Sequence, residues 1–190
     1  MDPNEEHIVK LCKKNNRDGY RMLYDKYHRF VYAICYHSTY NEADALDLVQ
    51  EVFIKVFNGM ERFDSKRPIL PWIKKITVNI LINHTNRKLR EEIIVDFSED
   101  SPVGKLESSN VEDKPEESAA GHETRSAIEG CISQLPGNER TAIVLRHFEG
   151  KSYEEIALLM GCPLGSVKTY LHRGRKLLRD ALVHKGIWEV

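Results

Sequence analysis

The sequence predicts an all-α protein built as two small helical domains joined by an acidic linker, and three observations carry that expectation. Apolar residues recur at spacings of three and four along most of the chain. No stretch sustains the period-two alternation of a half-buried strand. Residues 98–121, SEDSPVGKLESSNVEDKPEESAAG, hold seven acids against two lysines and almost no large apolar side chain. Such a segment buries too little surface to offset chain entropy. Domain limits of 1–97 and 122–190 follow, around a flexible linker at 98–121.

In chain order, Ile8, Leu11 and Cys12 mark a first helix, and Tyr20, Leu23, Tyr24, Tyr27, Val31, Ile34 and Cys35 a second. Asn41 to Phe57 reads as a third, with Ala45, Leu48, Val49, Val52 and Val56 toward a core and Asp44, Asp47 and Glu51 on one face. A fourth begins near Leu70-Pro71-Trp72, turning Ile73, Ile76, Ile80 and Leu81 inward and Lys74, Lys75, Asn79, Asn83, Arg87 and Lys88 outward.

Beyond the linker, Ala127, Ile128, Cys131 and Leu135 continue the helical spacing to Pro136-Gly137. Asn138 is the expected cap of a helix carrying Ala142, Ile143, Leu145 and Phe148, stopped at Glu149-Gly150. Ser152-Tyr153-Glu154-Glu155 is a capping box: the serine oxygen accepts from the third amide and Glu155 reaches back. The short helix it opens buries Ile156, Ala157, Leu159 and Met160 and stops at Gly161. After the turn Gly161 to Gly165, Ser166 is the expected cap of a last helix with Val167, Leu171, Gly174 and Leu178 inward. Gly174 permits close helix approach. Lys168, Thr169, His172, Arg173, Lys176 and Arg179 lie opposite. That is a helix-turn-helix pattern, whose second helix presents its N-terminal residues to base edges and its later cations to phosphates.

Charge distribution sharpens the functional reading. The total charge is −1, yet no acid occurs between Asp64 and Glu91 or from Ile156 to Arg179. The first stretch mixes Lys66, Arg67, Lys74, Lys75, Arg87, Lys88 and Arg90 with Phe63, Trp72, Asn79, Asn83 and His84. Rings offer stacking platforms for unstacked bases, and amides can read a base edge. A single strand and a duplex are therefore both expected ligands.

Other classes find little support. There is no phosphate-binding glycine loop, no HExxH and no nucleophile with a base, so no enzyme and no cofactor are expected. Cys12, Cys35, Cys131 and Cys162 show no CxxC spacing; Cys35 and His37 offer two candidate metal ligands, but Cys35 also fits the buried helical stripe and reads as a core thiol. The N-terminus lacks signal-peptide features and the apolar runs are too short to span a bilayer. A reducing cytoplasm is the expected setting.

Three blocks, DALDLVQEVFIKVF, RFDSKRPILPWIKKITVNILINHTNRKLR and SYEEIALLMGCPLGSVKTYLHRGRKLL, closely resemble bacterial sigma factors of the extracytoplasmic-function (ECF) group, in order and at the family's separation. The resemblance implies a first domain that binds the beta-prime clamp helices of core RNA polymerase and melts the minus-10 element, and a second that reads the minus-35 duplex and contacts the beta flap. It places Asp44, Asp47, Leu48, Gln50 and Glu51 on the polymerase-binding helix. Asp64 to Pro71, with Lys66 and Arg67, matches the loop that holds a flipped base of the minus-10 strand. Phe63, Ile76 and Asn79 line its pocket with Asn79 as base reader, and Trp72, Lys75 and Asn83 stand beside it, with Arg87 and Lys88 further along. Ser166, Lys168, Thr169, His172, Arg173 and Lys176 fall on the minus-35 helix. The resemblance also implies a silencing anti-sigma factor, often membrane-anchored, and a linker threading toward the RNA path. The competing expectation is a helix-turn-helix regulator that binds duplex DNA without polymerase.

Overall fold

A computed structural model describes residues 3–96 and 119–188, with side chains described for 4–87 and 124–188. All regular structure among the described residues is helical. Residues 98–118 of the expected linker lie outside the described residues, and Ala119 to Gly121 already form the start of a helix, three residues earlier than expected.

Helices α1 (Pro3–Lys13), α2 (Arg17–Thr39), α3 (Glu42–Gly59) and α4 (Ile69–Asp96) make the first bundle. Each junction has a local cause. The Asn16 side chain accepts from the amides of Asp18 at 2.8 Å and Gly19 at 3.3 Å, so α2 starts with its first donors satisfied. Gly19 lets α1 come close: a methyl there would lie 2.6 Å from Leu11 Cβ. Tyr40 ends α2 in the left-handed region (φ 49°), and Asn41 opens α3 by accepting from the Asp44 amide at 2.9 Å. Leu23, Val31, Ile34, Cys35, Val52, Val56, Ile69 and Ile73 fill the core between these helices. Tyr24 departs from expectation, since it lies on the surface stacked at 5.0 Å on His28 while its edge covers Phe53.

The second bundle contains α5 (Ala119–Ser133), α6 (Gly137–His147), α7 (Tyr153–Met160) and α8 (Leu164–His184). The Ser152 capping box forms as expected: Glu155 N donates to Ser152 Oγ at 3.1 Å and Ser152 N to Glu155 Oε2 at 2.8 Å. Gly161 closes α7 at φ 65°. Two expected caps are corrected. Pro136 and Pro163, not Asn138 and Ser166, occupy the N-cap positions of α6 and α8. Proline's fixed φ suits the entry of a helix, so each begins earlier than the polar side chain suggested. Ile128, expected inward, is exposed on α5.

The bundles are packed on each other. Val78 of α4 is fully buried among Leu135, Ile143, Leu145, Ile156, Val167 and Leu171 of the second bundle. Conversely, Ile132 of α5 and Val144 of α6 are buried in the core of the first. At about 1.5–3 kcal/mol for each fully buried aliphatic side chain, these three alone stabilise the joined form by roughly 5–9 kcal/mol. The α4 face bearing Val78, Ile82 and Thr85 was not anticipated from the sequence.

Candidate nucleic-acid interface

At 28 residues, α4 is about 42 Å long at ~1.5 Å per residue, so it forms a continuous rail. Lys75, Asn79, Asn83 and Arg87 recur every fourth residue and are exposed, forming one stripe of cations and amides. Trp72 and Ile76 flank its N-terminal end half-buried. Phe63 was expected to line a base pocket, but it is only 6% exposed, its ring 4.8 Å from that of Trp72. It therefore buttresses the indole, which also rests on Gly59, where a methyl would lie 3.0 Å from Trp72 Cζ2.

The preceding loop turns on Asp64. Its carbonyl accepts from the Arg67 amide at 3.0 Å, its carboxylate accepts from the Lys66 amide at 3.0 Å, and Arg67 Nε lies 3.5 Å from Asp64 Oδ2. Lys66 and Arg67 thus stand exposed on a structured turn beside Trp72. Lys74, expected outward, is turned from that surface. Its ammonium lies 4.5 Å over the Phe30 ring, and burial together with the neighbouring Lys151 charge lowers its pKa. The side chain of Lys88 lies outside the described residues.

Asn79 and Asn83 open on a crevice of about 350 Å³ whose opposite wall is Asn138, Met160, Cys162 and Tyr170. The amide-bearing side of α4 and the start of α8 therefore share one cleft. Lys168, Thr169, His172, Arg173 and Lys176 are exposed on α8, and Ser166 is half-buried at its first turn. Thr169 Oγ1 donates to the Gly165 carbonyl at 3.0 Å, which leaves its methyl and oxygen lone pairs for a ligand. Gly174 holds α8 against α6: a methyl there would lie 2.9 Å from Ile143 Cγ1.

A different surface runs along α3. Asp47, Gln50 and Glu51 are exposed and Asp44 is half-buried. Leu48 is 2% exposed, so it faces the core as its helical spacing predicts and anchors the helix that presents the acids. Ile54 instead stands 58% exposed, one helical repeat beyond Asp47 and beside Gln50 and Glu51. Its seven-residue offset from Asp47 was a signal the sequence carried. Cys35 lies in the core, where burial pushes its thiol up to about 12.

Comparison with known proteins agrees with this geometry. Residues 23–91 match the Sigma-70 region 2 family and residues 125–178 match Sigma-70, region 4. The ECF RNA polymerase sigma factor SigW of Bacillus subtilis is 32% identical over 177 residues, covering 92% of this chain and 94% of that protein. The RNA polymerase sigma-H factor of Pseudomonas aeruginosa is 29% identical over 186 residues, covering 94% and 93%. Two solved structures share the fold. The sigma factor RpoE in complex with the anti-sigma factor NepR from Bartonella quintana has a TM-score of 0.61 at 21% identity, covering 86% of this chain and 96% of that one. CnrH in complex with the cytosolic domain of CnrY has a TM-score of 0.57 at 19% identity, covering 95% and 97%. With a region 2 match over α2 to α4, a region 4 match over α5 to α8, and relatives of this similarity over nearly its whole length, the chain belongs to the sigma-70 family, among the ECF sigma factors that bind core RNA polymerase and direct it to promoters.

Proposed function

We propose a division of labour between three surfaces, with residues 1–97 acting on polymerase and the minus-10 element and residues 122–190 on the minus-35 element. The observation that carries it is the Lys75, Asn79, Asn83, Arg87 stripe beside Trp72, in a chain that also carries a cationic recognition helix. Asp47, Gln50, Glu51 and the exposed Ile54, with Asp44 at the edge, dock on the beta-prime clamp helices: an apolar residue ringed by acids suits a basic coiled partner. Asn79 reads a flipped non-template base against Trp72 and Ile76, while Lys66, Arg67, Lys75 and Arg87 hold the displaced backbone. Unstacking costs a few kcal/mol per step, and stacking at about 1–3 kcal/mol per base offsets it. Lys168, Thr169, His172, Arg173 and Lys176 engage the minus-35 duplex, and region 4 contacts the beta flap.

The chain makes no bond itself and acts in the cytoplasm, where the polymerase supplies the chemistry. Among the described residues no helix is long and apolar enough to cross a membrane. An anti-sigma factor is the expected silencer, since the two solved structures of like fold are both complexes with another chain, one of them named as an anti-sigma factor.

The test is run-off transcription from a fragmented genomic library with purified core polymerase, with and without the protein. Discrete new transcripts sharing upstream elements are expected. Their absence, together with tight duplex binding by the protein alone, would favour a regulator that works without polymerase.

A further inference from the structure

The end of α2, one face of α5 and the end of α6 enclose a cavity of about 540 Å³. His37, Tyr40, Ile128 and Phe148 supply its aromatic and aliphatic walls. The His37 ring stacks on that of Phe148 at 4.2 Å with 20° between the planes, and Tyr40 meets His37 edge-on at 6.1 Å. Tyr40 keeps this place through a left-handed backbone (φ 49°), which a bulky residue adopts only where its surroundings hold it. Ile128 and Phe148 are 36% and 43% exposed. This apolar surface lies outside the cation and amide stripes of α4 and α8 and outside the acidic face of α3.

The polar groups of the cavity are few and stand together. His37 Nδ1 and Tyr40 OH are buried and find no hydrogen-bond partner among the described residues, and Ser38 Oγ beside them finds none either. Buried polar atoms are nearly always paired, so three such atoms beside one cavity call for a partner from outside the chain. The charges of the lining are matched, since Arg125 Nε lies 3.1 Å from Glu129 Oε1. Burial lowers the pKa of His37 below its ordinary 6.5 and raises that of Tyr40, with Glu129 and Arg125 acting on both in opposite senses. Both side chains therefore stand neutral at neutral pH. An ion finds little to pair with here, whereas a ring finds faces to stack on and a hydroxyl finds both a donor and an acceptor.

We propose that this cavity binds a small uncharged aromatic molecule carrying one hydroxyl, its ring laid against Phe148 and Ile128 and its hydroxyl hydrogen-bonded to Tyr40 OH and His37 Nδ1. The volume falls within the ~300–1,000 Å³ of small-molecule sites, which are mostly apolar with a few placed polar groups and favour the seams between domains. A ligand there touches the first bundle through α2 and the second through α5 and α6, so its binding adds to the stability of the folded chain. None of the lining residues belongs to the nucleic-acid or polymerase surfaces, so the site goes beyond the promoter reading and is tested without polymerase or DNA.

The probe is naphthol, with naphthalene as the ring lacking the hydroxyl and naphthalene sulfonate as the ring carrying a charge. Each is titrated into the full chain by calorimetry at neutral pH. Naphthol is expected to bind at one site per chain, about tenfold or more tighter than either relative, because a site built around a hydroxyl rejects the analogue without one. It should also raise the melting temperature. Tyr40→Phe removes only the phenolic oxygen. It should weaken naphthol about fivefold or more and leave naphthalene within about twofold, without lowering the melting temperature of the free chain, since an unpartnered buried group goes with it. Ile128→Arg, at an exposed position, should weaken naphthol about tenfold or more while the helical circular dichroism stays unchanged. Absence of saturable naphthol binding, equal affinity for naphthol and naphthalene, or tighter binding of the sulfonate would each overturn the site. Wild-type affinity for naphthol in Ile128→Arg would place binding elsewhere and overturn it as well, and this variant decides the matter even if Tyr40→Phe fails to fold.

Discussion

Arg140 Nη1 donates a hydrogen bond to the Ser38 carbonyl oxygen at 3.0 Å, joining positions 102 residues apart. Its Nε donates to the Leu135 carbonyl at 3.1 Å, so one buried guanidinium ties α6 to the last turn of α2 and to its own preceding loop. A cation at a helix C-terminus also suits the partial negative charge there. Arg140→Ala should destabilise the chain by roughly 2–3 kcal/mol, because two carbonyls lose a charged donor inside the protein. Urea unfolding measures this, and Arg140→Lys should recover only part of the loss, since an ammonium lacks the planar fork.

The two reading surfaces should separate kinetically. Asn79→Ala is expected to reduce open-complex formation about tenfold or more while leaving duplex binding within about twofold, given the worth of a single base contact. Arg173→Ala should weaken minus-35 duplex binding and reduce the salt slope by about one. Footprinting for closed complexes and permanganate reactivity for melted ones score the steps independently. Equal defects in both steps for both variants would refute the division.

Close approach of α6 and α8 depends on Gly174. Gly174→Ala should cost about 1–3 kcal/mol, since its methyl would meet Ile143 Cγ1 at 2.9 Å. Ile143→Val removes only the distal carbon and leaves Cγ1 in place, so it should relieve little, whereas Ile143→Ala should restore the spacing at the expense of a cavity. Thermal denaturation of the three combinations distinguishes overpacking from loss of glycine flexibility.

The Ser152 capping box gives a pH signature. Glu155 is held below its ordinary 4.5, first by the hydrogen bond from the Ser152 amide and then by Lys151. A lowered carboxylate contributes stability that is complete above the unfolded value of 4.5 and lost as pH falls through the lower folded value. Glu155→Ala should therefore lower the melting temperature at pH 7, and the gap from the wild-type chain should narrow below about pH 4. Ser152→Ala should cost about 1 kcal/mol at neutral pH.

Thiol chemistry should report burial. Burial raises Cys12 to about 11 and Cys35 to about 12, and raises Cys162 too, but Cys162 is only half-buried and opens on the crevice. At pH 8, iodoacetamide is expected to modify Cys162 first, with Cys12 and Cys35 reacting only on unfolding. Peptide mapping of the modified protein checks the order.

Much of this architecture was legible in the chain. Helical spacing located the helices because each has one face that must be dry, and Ser152 with Glu155 marked the start of α7 because a capping box is satisfied locally. Cationic and amide residues on α4 and α8 could be picked out for the same reason: a stripe is a property of one helix. Helix starts at Pro136 and Pro163 were misassigned, since a neighbouring Asn or Ser looks like a cap until backbone geometry shows otherwise. Phe63 was expected to line a pocket, but its burial depends on what other elements bring against it. Composition, periodicity and local capping thus determined by themselves that two helical units exist and which helices carry stripes of cations and amides. Only the tertiary structure decided that Val78 leaves its own bundle's core for the other's and that Asn79 faces Tyr170 across one crevice. Those outcomes depend on contacts between residues far apart in the chain, whose pairing no local period encodes.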